Sequence, residues 1–137
     1  MERRMERAKV LVIEDEEDIS ELIAIRLARR GYYVSLAYDG EHGLAKVRES
    51  VPDLIVLDLM LPKMTGEEVC KAIREDETES VSKIPIIMLT AKATHVDRIV
   101  GKVIGADSYM TKPFDPDDLL LEIDKHIKSK KIPVRHG

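Results

Sequence analysis

Five short strand-like runs punctuate this chain of 137 residues, and four of them stop at or beside a residue able to do chemistry. Residues 9–13 (KVLVI) run into Glu14 and Asp15, and residues 54–58 (LIVLD) close on Asp58. Residues 85–90 (PIIMLT) close on Thr90, and residues 107–110 (DSYM) lie just ahead of Lys112. The remaining run, 33–37 (YVSLA), leads into an Asp39-Gly40 turn. Runs of this length, largely apolar and separated by helical periodicity, read as strands of a parallel sheet covered on both faces.

Between the runs, helices are expected over 16–30, 41–50, 66–75, 94–104 and 115–129. Ile19, Leu22, Ile23 and Leu27 fall at helical spacing in the first, and Gly31 ends it. Pro52 bars continuation of the second. A polar loop is expected over 76–83. Gly105 ends the fourth helix, and Asp115-Pro116 supplies an N-cap and a first-turn proline for the fifth. The expected fold is therefore α/β: a flavodoxin-like, doubly wound, five-stranded parallel sheet of order 2-1-3-4-5 with five helices. Residues 1–8 read as an N-terminal extension, 9–129 as the domain and 130–137 as a basic tail or linker.

In such a sheet the ligand crevice lies outside the carboxyl ends of the strands, at the switch between strands one and three. Glu14, Asp15 and Asp58 flank that switch, with Thr90 and Lys112 on the same edge. Like charges ~4 Å apart repel by about 4 kcal/mol at an effective dielectric of ~20, so three converging carboxylates call for a cation. All-oxygen ligation suits Mg²⁺, and Asp58 is placed as a nucleophile toward phosphorus. An acidic helix start explains Glu16, Glu17 and Asp18 through the helix dipole. It does not explain an acid closing the apolar run 54–58.

Composition narrows the partners. Residues 125–137 hold five basic groups and no acid, leaving 17 basic against 26 acidic groups elsewhere. An acidic body argues against direct nucleic-acid binding by the domain. No apolar run approaches the ~20 residues of a membrane helix, and the charged N-terminus is no secretion signal. The single cysteine, Cys70, sits on an apolar helical stripe and reads as core; a reducing cytoplasm is the expected compartment. His42, His95, His126 and His136 make no metal spacing and read as surface residues. Asn and Gln are absent while Lys, Arg and Glu abound, a thermophile's signature.

The stretches VLVIEDEED, PDLIVLDLMLPKMTGEE, IPIIMLTAK and GADSYMTKPFDPDDLL, in this order, resemble the receiver domain of two-component response regulators across residues 8–128. The resemblance implies Asp58 as phosphoacceptor, Asp15 as direct Mg²⁺ ligand, Glu14 as a ligand through water and the Met60 backbone carbonyl as the third protein ligand. It implies Thr90 as switch hydroxyl, Lys112 as phosphate contact, Tyr109 as a rotating aromatic and a cis Lys112-Pro113 bond. A sensor histidine kinase or phosphotransfer protein would be the donor. An output domain or partner would read the face made by the fourth helix, fifth strand and fifth helix. Catalysis would be limited to the domain's own phosphorylation and dephosphorylation.

Winged-helix regulators commonly dimerise through that face with charged pairs. Val103 and Ser108 here replace frequent acids and Glu122 a frequent arginine, which implies a different partner. An aspartyl-phosphate phosphohydrolase of the haloacid-dehalogenase type would want a second Asp where Met60 stands. A flavin mononucleotide carrier would want hydroxyls where Glu14 and Asp15 stand.

Overall fold

The computed structural model describes residues 7–91 and 105–131. Its elements are β1 (Lys9–Ile13), α1 (Glu17–Arg29), β2 (Tyr33–Ala37), α2 (Gly40–Glu49), β3 (Leu54–Asp58) and α3 (Gly66–Arg74). A single helical turn, α4 (Glu79–Ser82), precedes β4 (Ile86–Thr90), β5 (Ser108–Thr111) and α5 (Pro116–Lys131). The five strands form one parallel sheet of order β2-β1-β3-β4-β5, as the spacing predicts. The expected helix over 94–104, with His95 and Val103, lies outside the described residues. So do most of the basic tail and His136.

Each face of the sheet builds its own core. Leu11, Ile13, Ile55, Leu57 and Met88 point toward α2, α3 and α4, where Leu44, Val47, Val69, Cys70, Ile73 and Val81 meet them. Val10, Val12, Leu54, Val56, Ile87 and Leu89 point the other way, onto Ile23 and Leu27 of α1 and Leu119, Ile123 and Ile127 of α5. Successive strand side chains alternate between the two faces, so β3 is covered throughout. Burying a side chain such as Leu54 or Leu57 contributes about 1.5–3 kcal/mol. Among the described residues no helix is long and apolar enough to cross a membrane.

Local chemistry sets the ends. Gly31, at φ +94°, closes α1: its N–H reaches the Ala28 carbonyl at 3.0 Å and that of Tyr32 the Leu27 carbonyl at 3.2 Å. Asp39, expected only as a turn residue, caps α2 by accepting the His42 N–H at 2.8 Å, and that bond holds its carboxyl below the usual range. Asp115 accepts the Asp117 N–H at 2.9 Å as an N-cap should. Arg26 pairs with Asp117 at 3.0 Å and Arg30 with Asp124 at 3.2 Å, fastening α5 to α1; Tyr32 also donates to Asp124.

Three expectations need correction. The segment 76–83 is not all loop, because buried Val81 anchors α4, a turn too short to show periodicity. Leu22 is 39% exposed, since Ile19, Ile23 and Leu27 already form the inward stripe and Leu22 lies about 100° round the helix from Ile23. His126 is not a free surface residue: its Nε2 lies 3.4 Å from both Ser108 Oγ and a Glu122 carboxylate oxygen. His42 is exposed as expected.

Candidate functional site

The carboxyl edge of the sheet gathers the polar residues that interrupt an otherwise apolar core. Glu14 follows β1 and is wholly buried, its N–H held by the Ala37 carbonyl at 3.0 Å. Its Oε2 accepts the Glu16 N–H at 3.0 Å. Its Oε1 lies 3.0 Å from Lys112 Nζ, an ion-pair distance, yet no hydrogen bond is directed at it. Asp58 ends β3 only 3% exposed. Its Oδ1 accepts the Met60 N–H at 3.2 Å and its Oδ2 lies 3.2 Å from Lys112 Nζ.

Asp15 stands exposed beside them. Carboxylate oxygens of Glu14, Asp15 and Asp58 lie within 4.8 Å of one another. Thr90 ends β4, buried, and its carbonyl accepts the Lys112 N–H at 2.7 Å. The Lys112-Pro113 peptide is cis. Tyr109 is half-buried on β5, opposite Met88 in register and packed on the α2–α3 side of the core. Glu14, Asp15, Asp58, Thr90 and Lys112 thus fall together at the carboxyl edge of the sheet, while Tyr109 lies within β5, Ser108 at its amino end and Glu122 on α5.

Two buried acids and an exposed third, answered by one lysine, are electrostatically unfinished. Burial pushes Glu14 from 4.5 up to about 7, assisted by the charge on Asp58 and opposed by the Glu16 N–H and Lys112. Burial would lower Lys112, but its contacts with Glu14 and Asp58 outweigh that and raise it. An all-oxygen donor set containing a buried carboxylate oxygen without a hydrogen bond fits a hard divalent cation.

The Glu14 shift has a definite sign for stability. The folded chain keeps a proton on Glu14 that the unfolded chain releases near pH 4.5, so stability present below that pH is lost as pH rises through about 7. The loss is at most roughly 3 kcal/mol. In chelator, Glu14→Gln should unfold at higher urea than the parent at pH 8, with the gap closing by pH 4.5. An equal gap at both values would place the carboxyl in a solvated setting.

Two contributors to the site escaped the sequence reading. Thr65 and Glu68 form a reciprocal capping box at the start of α3, with bonds of 3.1 and 3.0 Å, and the Thr-x-x-Glu spacing announces it. Gly66 packs flat against the end of β3, its N–H on the Leu59 carbonyl at 2.9 Å. A Cβ there would strike the Asp58 carbonyl and come within 2.7 Å of Leu59 Cα. Gly66→Ala should therefore destabilise the fold by about 1–3 kcal/mol. Its melting curve checks this; an unshifted transition would mean that α3 seats more loosely on β3.

With the geometry in hand, comparison settles the family. The profile of the response regulator receiver domain matches residues 10–124. The chain belongs to that family. It is similar to the alkaline phosphatase synthesis transcriptional regulatory protein PhoP of Bacillus subtilis, at 45% identity over 124 residues, 90% of this chain and 50% of that protein. The transcriptional regulatory protein DltR of Streptococcus agalactiae is 47% identical over 115 residues, 84% of this chain and 50% of the relative. The chain spans about half the length of the curated relatives it matches.

Among solved structures, chemotaxis response regulator CheY4 of Vibrio cholerae superposes with a TM-score of 0.81 at 35% identity, covering 88% of this chain and 98% of that one. DrrB of Thermotoga maritima, an OmpR/PhoB homolog, gives 0.81 at 30%, covering 91% of this chain and 54% of that one. Receiver domains are signalling modules of two-component systems, and response regulators take phosphoryl groups from sensor histidine kinases.

Proposed function

We propose that this receiver domain accepts a phosphoryl group on Asp58 from a phosphohistidine of a sensor kinase or phosphotransfer protein. The observation that carries the reading is the Asp58 carboxylate. It is nearly buried, yet held between the Lys112 ammonium at 3.2 Å and the Met60 N–H at 3.2 Å, beside two further acids. An Asp58 oxygen attacks phosphorus as the bond to the donor histidine nitrogen breaks. Asp15, Asp58 and the Met60 carbonyl would hold Mg²⁺, with Glu14 reaching it through water. When bound, the ion offsets charge on the transferring group.

The product adds a charge of about −1.5 to −2 where Asp58 had one. Lys112, now shared between Glu14 and Asp58, turns to a phosphoryl oxygen, and the Thr90 hydroxyl donates to another. Thr90 and Tyr109 lie on adjacent strands, so this shift biases Tyr109 and the β5–α5 face toward a second arrangement. An output domain or partner reads that face. Ser108 and Glu122 there both engage His126 within the chain, which supports a partner other than a symmetric charged dimer. The domain turns over nothing but its own phosphoryl group, binds no nucleic acid directly and works in the cytoplasm.

Acetyl phosphate tests the reading. Uptake should require Mg²⁺ and vanish in chelator, and Asp15→Ala should raise the Mg²⁺ needed by more than about tenfold, the effect of losing one charged ligand. Equal uptake by Asp15→Ala at the parent's Mg²⁺ concentration would sink the metal assignment.

A further inference from the structure

The junction between β2 and α2 carries none of the site residues, yet it joins the two loops that do. At one end the Ala37 carbonyl holds the Glu14 N–H at 3.0 Å. At the other, Asp39 lies 3.8 Å from Lys63 Nζ, and buried Gly40 packs on the loop between β3 and α3. A Cβ on Gly40 would fall 2.6 Å from Met64 Cβ, 2.8 Å from the Met64 carbonyl oxygen and 2.9 Å from Val69 Cγ2. Gly40 lacks the positive φ of Gly31 and Gly105, so its bare Cα serves close approach and not an unusual backbone. We infer that Gly40 is a positioning residue for the metal site, seating the β3–α3 loop so that Asp58 and Met60 stay in register with Glu14 and Asp15. The inference rests on the site binding Mg²⁺ as proposed above.

The loop is pinned where it leaves β3 and where it enters α3. The Leu59 N–H bonds the Leu89 carbonyl at 2.9 Å, and the Gly66 N–H bonds the Leu59 carbonyl at 2.9 Å. A side chain at position 40 therefore cannot push the whole loop aside, and the displacement concentrates between Met60 and Thr65. Two of the three atoms it would strike, Met64 Cβ and the Met64 carbonyl oxygen, sit on or beside the backbone and cannot rotate away as the end of a long side chain could. Moving the Met60 carbonyl relative to Asp15 loosens the ion, while Asp58, at the end of β3, keeps its place as nucleophile. Groups that support metal ligands from behind change affinity by about 10–100-fold when altered. Gly40 touches the loop and not a ligand, so the lower end of that range applies.

Calorimetric titration of the unphosphorylated protein with Mg²⁺ should show binding about tenfold weaker in Gly40→Ala than in the parent. Uptake from acetyl phosphate should return to near the parent's rate once Mg²⁺ saturates the variant. Val47→Ala, which opens a cavity in the same helix away from the loop, should melt earlier yet bind Mg²⁺ as the parent does. The parent alone gives a second reading, whether or not Gly40→Ala folds. Mg²⁺ should slow amide exchange at His42 and Gly43, whose N–H groups bond Asp39, more than at Ser50 beyond the far end of α2. Parent-like Mg²⁺ binding by Gly40→Ala, an equal loss of affinity in Val47→Ala, or equal slowing at all three amides would each overturn the inference. A parent that binds no Mg²⁺ would instead refute the metal reading, and the inference with it.

Discussion

Arg74→Ala is expected to lower the melting temperature by roughly 7–10 °C, corresponding to about 2–3 kcal/mol for a domain of this size. At the end of α3 the guanidinium donates Nη1 to the Ser82 and Ile84 carbonyls, both at 2.8 Å, and Nε to the Gly105 carbonyl at 2.9 Å. Its Nη2 meets Asp107 at 2.9 Å, and the same Asp107 oxygen accepts the Ile86 N–H at 2.8 Å. One side chain thus joins α3, α4 and the amino ends of β4 and β5. Truncation strands three carbonyls and leaves Asp107 without its cation. The side chain is 22% exposed, so water recovers part of the loss and the figure stays below that of a fully buried network. Arg74→Lys should recover less than half, because an ammonium lacks the planar fork that reaches all four acceptors. Thermal unfolding decides this, and a fall under about 2 °C would contradict it. Because Arg74 works at the amino edge of the sheet, phosphoryl uptake measured well below the transition should persist in the variant.

The contrast between Arg74 and Asp58 explains what could be read from the chain. β1 and β3 agree residue for residue with their apolar runs because each lies between two packed layers and announces itself by composition, and β2, an edge strand buried fully only at Ala37, agrees as well. The strand β5, at the opposite edge, runs Ser108–Thr111, one residue later than its apolar run suggests; just ahead of it the Asp107 N–H bonds the Ile86 carbonyl at 2.9 Å while its carboxylate meets Arg74. Asp58, Thr90 and Lys112 were legible because a polar residue ending an apolar strand is a local anomaly. Arg74 was not, since an arginine in the last turn of an amphipathic helix is ordinary and its partners are 8 to 33 residues away. Lys63 was equally silent. It adopts φ +66°, a left-handed conformation costing an L-residue roughly 1–2 kcal/mol, in the loop that carries Met60. The division of labour inside the acid trio also needed coordinates. Glu14 is buried against Lys112 and Asp15 is exposed, although the two are neighbours in sequence.

The largest expected effect is at Asp58 itself. Asp58→Asn keeps the shape and the contact with the Met60 N–H but replaces the attacking oxygen anion by a neutral amide. Phosphoryl uptake should fall below detection, a loss of at least about 10³-fold. Glu14 and Asp15 remain beside it, yet Glu14 is wholly buried and Asp15 lies at the rim, so neither replaces the geometry at the end of β3. The direct test is intact mass and peptide mapping of the parent and Asp58→Asn after incubation with acetyl phosphate and Mg²⁺. The account predicts one added phosphoryl group on the parent, on the peptide containing Asp58 and removed by hydroxylamine, with none on the variant. A hydroxylamine-resistant adduct, or one that survives on Asp58→Asn, would contradict it.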